Sequence, residues 1–91
     1  MADAIVFKVK IVNRLGLHAR PAMAFVDTAN AHDCLVRVRK GETDVDGKSI
    51  MEMMMLAATQ GSELEIELKG PGSERCAEAL KKLINRGFDE E

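Results

Sequence analysis

Glu63-Leu64-Glu65-Ile66-Glu67-Leu68-Lys69 alternates a charged residue with an aliphatic one at every step. Side chains along a strand point to opposite faces in turn, so this stretch has one apolar face and one wet face. A sheet with a solvated face carries helices only on the other. The same alternation recurs upstream. In residues 5–12, Phe7, Val9 and Ile11 alternate with Lys8 and Lys10. In residues 34–40, Val36 and Val38 point inward while Arg37 and Arg39 point outward as solvated charges. Gly41 marks a hairpin into a short strand around Thr43-Asp44-Val45.

Helical spacing fills the gaps. Residues 19–30 place Ala22, Phe25, Val26 and Ala29 on one face, and Pro21 falls in the first turn, where a missing N–H costs nothing. Ser49 opens a short helix expected to run to about Ala58, ahead of Gly61. Pro71-Gly72-Ser73 leads into a third helix with Cys76, Ala77, Leu80, Leu83 and Ile84 on its apolar face. Gly87 reads as its stop, Phe88 as the hydrophobic contact beyond it, and Asp89-Glu90-Glu91 as a solvated tail. The predicted fold is α+β. It is an open-faced two-layer sandwich in the order βαββαβα, a four-stranded antiparallel sheet with three helices on one face.

Bulk properties narrow the function. A chain of 91 residues with 46% apolar content suits a single domain spanning residues 1–91. Thirteen basic and 15 acidic residues give a net charge of -2, which argues against nucleic acid or an anionic membrane surface as partner. Aromatic residues make up 3%, too few for a base-stacking surface. No apolar run approaches the ~20 residues that span a bilayer. Met1-Ala2-Asp3-Ala4 lacks the pattern of a secretory signal, so a cytoplasmic location is expected. Cys34 and Cys76 form no CxxC pair and read as small buried hydrophobes.

The chemistry concentrates at Leu15-Gly16-Leu17-His18-Ala19-Arg20-Pro21-Ala22. His18 falls at the start of the first helix, where unpaired N–H groups carry partial positive charge and favour an anion. Arg20 adds a planar donor suited to phosphate. A cation in the first turn is unfavourable on its own, so an anionic visitor explains it better. A neutral imidazole there is a nucleophile beside its own anion cradle, able to accept a phosphoryl group and pass it on. Ser49-Ile50-Met51-Glu52 fits a capping box, the hydroxyl and the Glu52 carboxylate each satisfying a backbone N–H. In Ile50-Met51-Glu52-Met53-Met54-Met55-Leu56 a short helix can bury only one stripe. Met53 and Leu56 are assigned to the core. Ile50, Met51 and Met54 are then exposed and, with Met23, form a partner-docking patch. His32, in His32-Asp33-Cys34, reads as a loop histidine, because two candidate ligands do not make a metal site.

Gly16-Leu17-His18-Ala19-Arg20-Pro21-Ala22 resembles the active-site motif of the HPr family, histidine phosphocarriers of the bacterial phosphoenolpyruvate-dependent phosphotransferase system. Lys48-Ser49-Ile50-Met51 resembles that family's regulatory serine segment, at the family's spacing from the histidine. Asn13-Arg14-Leu15-Gly16 and the ending Asn85-Arg86-Gly87-Phe88-Asp89-Glu90-Glu91 are similar to the nitrogen-related branch. The Lys48 segment is similar to the serine-kinase-regulated branch, from whose pattern Glu52 departs. The resemblance implies a cytoplasmic, monomeric carrier. Phosphorylated enzyme I would donate to Nδ1 of His18, Arg20 would steady the phosphate, and phospho-His18 would donate to a histidine of an enzyme IIA domain. A serine kinase/phosphorylase would act on Ser49. No metal or cofactor is called for, and each partner would supply much of the active site, so the chain is expected to be a relay rather than a stand-alone enzyme. Two alternatives stand beside it: a regulatory binding module of the same fold acting through its apolar patch without phosphoryl flux, and an unrelated ferredoxin-like domain binding RNA or a small ligand. The presence of His18 argues against the first and the scarcity of aromatics against the second.

Overall fold

The strand with the strictest alternation lies inside the sheet. A computed structural model describes residues 4–90; Met1 to Asp3, part of the segment read for targeting, and Glu91 of the acidic tail lie outside them. The elements are β1 (Ile5–Lys10), α1 (Ala19–Asn30), β2 (Leu35–Lys40), β3 (Thr43–Asp46), α2 (Ile50–Met54), β4 (Glu63–Lys69) and α3 (Ser73–Asn85), followed by a 3-10 turn (Gly87–Asp89). The sheet order is β1-β4-β2-β3, with every neighbouring pair antiparallel. Register aligns the aliphatic rows: Phe7 and Val38 flank Ile66, Val9 faces Leu64, Val36 faces Leu68 and Val45 faces Val38. That row faces the three helices. Phe25 and Ala29 of α1, Met53 of α2, and Cys76, Leu80 and Ile84 of α3 are fully buried in one cluster with it.

Two elements are shorter than the sequence suggested. β1 ends at Lys10 instead of Val12, because Ile11 exchanges backbone bonds with the turn residues Gly61 (2.7 Å) and Ser62 (2.9 Å) instead of a strand. α2 ends at Met54 instead of Ala58. The carbonyls beyond it are used elsewhere: Leu56 O accepts from Lys40 Nζ at 3.1 Å and Ala58 O from Leu17 N at 2.8 Å. Ala57 between them adopts the left-handed conformation, φ 48°, which no helix continues.

The open face is less simply solvated than expected. Arg39 bonds Asp44, Glu65 and Glu67, and Arg37 bonds Asp44 at 3.1 Å. The Arg39 guanidinium holds the Glu67 carboxyl below its ordinary range, and the carboxylates raise the arginine in return. Cys34 and Cys76 are buried free thiols, and burial pushes Cys76 up to about 12, which leaves it protonated.

Candidate functional site

The turn Asn13–Gly16 delivers His18 to the start of α1. Gly16 N donates to Asn13 O at 3.1 Å, with Gly16 at φ 70°. A Cβ on Gly16 would lie 2.6 Å from the Ala58 carbonyl oxygen, so conformation and space both demand glycine. Leu17 is buried beside it, and its N–H donates to Ala58 O. His18 then occupies the N-cap in an extended conformation, φ -78° and ψ -172°. Its side chain makes no capping bond and the first turn itself holds no acidic residue, so the N–H groups at the positive end of α1 are left without a side-chain cap.

The imidazole is half-buried and has a partner that sequence reasoning missed. Its Nε2 lies 2.9 and 3.0 Å from the two carboxylate oxygens of Glu90. Asn13, 3% exposed, donates from Nδ2 to Glu90 Oε1 at 3.0 Å and to Gly16 O at 2.7 Å. The bond from His18 holds the Glu90 carboxyl below its ordinary range, Asn13 and the charge of Arg20 act in the same direction, and burial opposes them. Glu90 is therefore docked, which corrects its reading as part of a solvated tail. Gly87, Phe88 and Asp89 have φ of 66°, 57° and 60°, a left-handed turn closed by Glu90 N to Gly87 O at 3.0 Å. Phe88, 7% exposed, anchors that turn in the core. Among the described residues Nδ1 of His18 has no hydrogen-bond partner.

Arg20 is exposed and lines an open cleft of about 480 Å³ with Arg14, Leu15, Phe88, Asp89 and Glu90. The structure thus brings Arg20 to the Glu90–His18 contact and adds Arg14. A groove of similar size between α1 and α3, lined by Thr28, Arg75, Glu78 and Lys82 among others, shares no residue with this cleft.

The serine segment lies elsewhere. Ser49 is the N-cap of α2, and its Oγ accepts from Glu52 N at 3.2 Å. The reciprocal half of the expected capping box differs. Glu52 accepts from Asp46 N at 2.9 Å, because Ser49 N already donates to Asp46 O. Asn30 at the end of α1 donates to Lys48 O, so Ser49 sits at the opposite end of α1 from His18. A helix of 12 residues spans about 18 Å, which rules out direct contact between the two.

Of the apolar residues predicted to be exposed, Met23, Met51 and Met54 are exposed, while Met53 and Leu56 are buried. Ile50 is a correction: it is half-buried against the core, because as the first residue of a five-residue helix its side chain tilts back toward the helix N-terminus and not onto the exposed face of the next turn. Leu15 and Met55, 62% and 69% exposed, were missed. His32 is tied to the end of α1 through Nδ1 and Thr28 O at 2.9 Å. The described residues hold no group of three His, Cys, Asp or Glu side chains able to bind a metal. None of their helices is long and apolar enough to cross a membrane.

An open-faced sandwich with a histidine at a bare helix start is the arrangement expected of the phosphohistidine-carrier class. Comparison with known proteins agrees. Residues 5–86 match the family described as PTS HPr component phosphorylation site. The chain is 49% identical over 84 residues to phosphocarrier protein HPr of Pseudomonas aeruginosa, covering 91% of this chain and 93% of that protein. It is 38% identical, with the same coverage, to phosphocarrier protein NPr of Escherichia coli. The crystal structure of HPr-C-His from Thermoanaerobacter tengcongensis superposes with a TM-score of 0.92 at 38% identity, over 96% of this chain and 98% of that one. The chain belongs to the HPr family of phosphotransferase-system phosphocarriers. A binding module of this fold without phosphoryl transfer is not favoured.

Proposed function

We propose that His18 carries the phosphoryl group, accepting it at Nδ1 from phosphorylated enzyme I and yielding it to a histidine of an enzyme IIA domain. The observation that carries this reading is the division of labour on one ring. Nε2 is taken by Glu90, while Nδ1 is unpaired beside an uncapped helix start. The Nδ1 lone pair forms the bond to phosphorus, the donor's bond to phosphorus breaks, and its electron pair returns to the donor. The arriving oxygens find the α1 N-terminus and Arg20, both positive. The same steps in reverse deliver the group to enzyme IIA.

The same reading carries the remaining assignments. Leu15, Met23, Met51, Met54 and Met55 present exposed apolar side chains on α1, α2 and their flanks, a flexible surface suited to two partners in turn. Ser49 is a site for a serine kinase/phosphorylase, with its hydroxyl next to the exposed Met51. The chain is a carrier and not a stand-alone catalyst, a cytoplasmic monomer, and one domain over residues 1–91. Incubation with enzyme I and phosphoenolpyruvate should place an acid-labile label on the wild-type chain. A folded His18→Ala protein should take none. Label retained by that variant would move the site elsewhere, His32 being the other histidine.

A further inference from the structure

We propose that Glu90, held by Asn13, is a positioning residue for phosphoryl transfer: it fixes His18 as the Nε2–H tautomer and balances the charge the ring gains when Nδ1 bonds phosphorus. This rests on the reading of His18 as the phosphoryl acceptor. An ionised carboxylate can only accept hydrogen bonds, so the ring nitrogen between its two oxygens must carry the proton. The lone pair is then on Nδ1, the nitrogen that has to attack. Asn13 makes the arrangement directional. Both groups facing its Nδ2, Gly16 O and Glu90 Oε1, are acceptors, so the reversed amide would set oxygen against oxygen twice. In the orientation so imposed Oδ1 is buried without a partner among the described residues.

Charge follows the same line. The neutral ring becomes positive as Nδ1 forms its bond, with the proton still on Nε2. A carboxylate already aligned on that proton stabilises the change without reorganising. Its negative charge lies against Nε2, across the ring from the incoming phosphoryl group. Arg20 and Arg14 in the adjoining cleft are positive, and the other carboxylate there, Asp89, is paired with Arg86 at 3.0 Å. With Nε2 occupied, the wrong ring nitrogen is also shielded from phosphorylation. The left-handed turn through Phe88 and Asp89 has an account on this basis: two non-glycine residues in an unfavourable region bring a carboxylate 72 positions away in sequence onto His18.

The test uses the full chain as wild type, Glu90→Gln and Glu90→Ala. Glutamine keeps the size but offers both a donor and an acceptor, and alanine offers neither, so neither variant dictates the tautomer. Nitrogen-15 spectra of the unphosphorylated neutral ring should show Nε2–H alone in the wild type and a mixture in both variants, while the rest of each spectrum stays folded. Single-turnover phosphorylation by phosphorylated enzyme I should slow roughly tenfold or more in both, as loss of one charge-assisted hydrogen bond to the reacting ring implies. A variant with a wild-type rate, whatever its tautomer, would overturn the proposal. So would a wild-type ring protonated at Nδ1. Absence of label on wild-type His18 would instead bring down the acceptor reading itself, a result the spectra of the unphosphorylated protein do not touch.

Discussion

At the residue scale the site is a contest of charges around one imidazole. Arg20 makes no side-chain hydrogen bond or ion pair among the described residues, with Glu90 in the same cleft already committed to His18 and Asn13, and it stands in a helix first turn, where a cation is favoured only by a nearby anion. Arg20→Glu should therefore slow transfer to and from both partners and leave the thermal midpoint near that of wild type. Unchanged rates would remove Arg20 from the phosphate cradle. The Glu90 contact has a pH signature. Its carboxyl lies below the ordinary value of 4.5 through the bond from His18 and then that from Asn13. A group whose carboxyl is lowered on folding stabilises the docked state above the ordinary value and loses that contribution as pH falls through the lowered one. Amide protection of residues 88–90 should accordingly be full at neutral pH and fall away in acid. Protection independent of pH would show that the carboxylate does not hold the tail. His18, Arg20 and the helix start were legible because they are neighbours in sequence. Glu90 was not: both ends of its contact carried family-like motifs, but no periodicity relates Asn13 and His18 to a residue beyond a glycine stop.

At the element scale, alternation located β2 and β4 to within a residue, and α1 matches its predicted span, because each buries a single regular face. The reading failed where tertiary contacts overrode local pattern. The segment after Met54 keeps an apolar, helix-like composition, yet Lys40 and Leu17 capture the carbonyls at Leu56 and Ala58 and end the helix. Three consecutive methionines also gave no phase from which to place Met55. At the other end of α2, Ser49 caps the helix by its own hydroxyl. Ser49→Ala should cost about 1 kcal/mol, a fall of several degrees in thermal midpoint for a domain of this size. Ser49→Asp should keep the cap and the midpoint. Because Ser49 stands at the far end of α1 from His18, a charge there acts on a partner and not on the imidazole. Its desolvation beside Met51 should weaken enzyme I binding. Equal affinity for the Asp variant and wild type, repeated with serine-phosphorylated protein, would reduce Ser49 to a cap.

At the scale of the whole molecule, the sheet and its helices form a frame that keeps three features apart: His18 at one end of α1, a capped serine at the other, and exposed methionines on the helices. The order of strands was legible only as a class, since one-faced alternation requires a helix-covered sheet but does not say that β4 lies between β1 and β2. That placement matters, because the turn leading into β4 is the one that braces the end of β1 ahead of Asn13 and His18. The proposed function has both partners use the same histidine in turn, and the account stands or falls on that relay. Phosphorylate the chain with enzyme I and labelled phosphoenolpyruvate, remove both, and add an enzyme IIA domain alone. The label should leave His18 and appear on a histidine of the enzyme IIA domain. Label that stays on the chain, or is released only as inorganic phosphate, would contradict it.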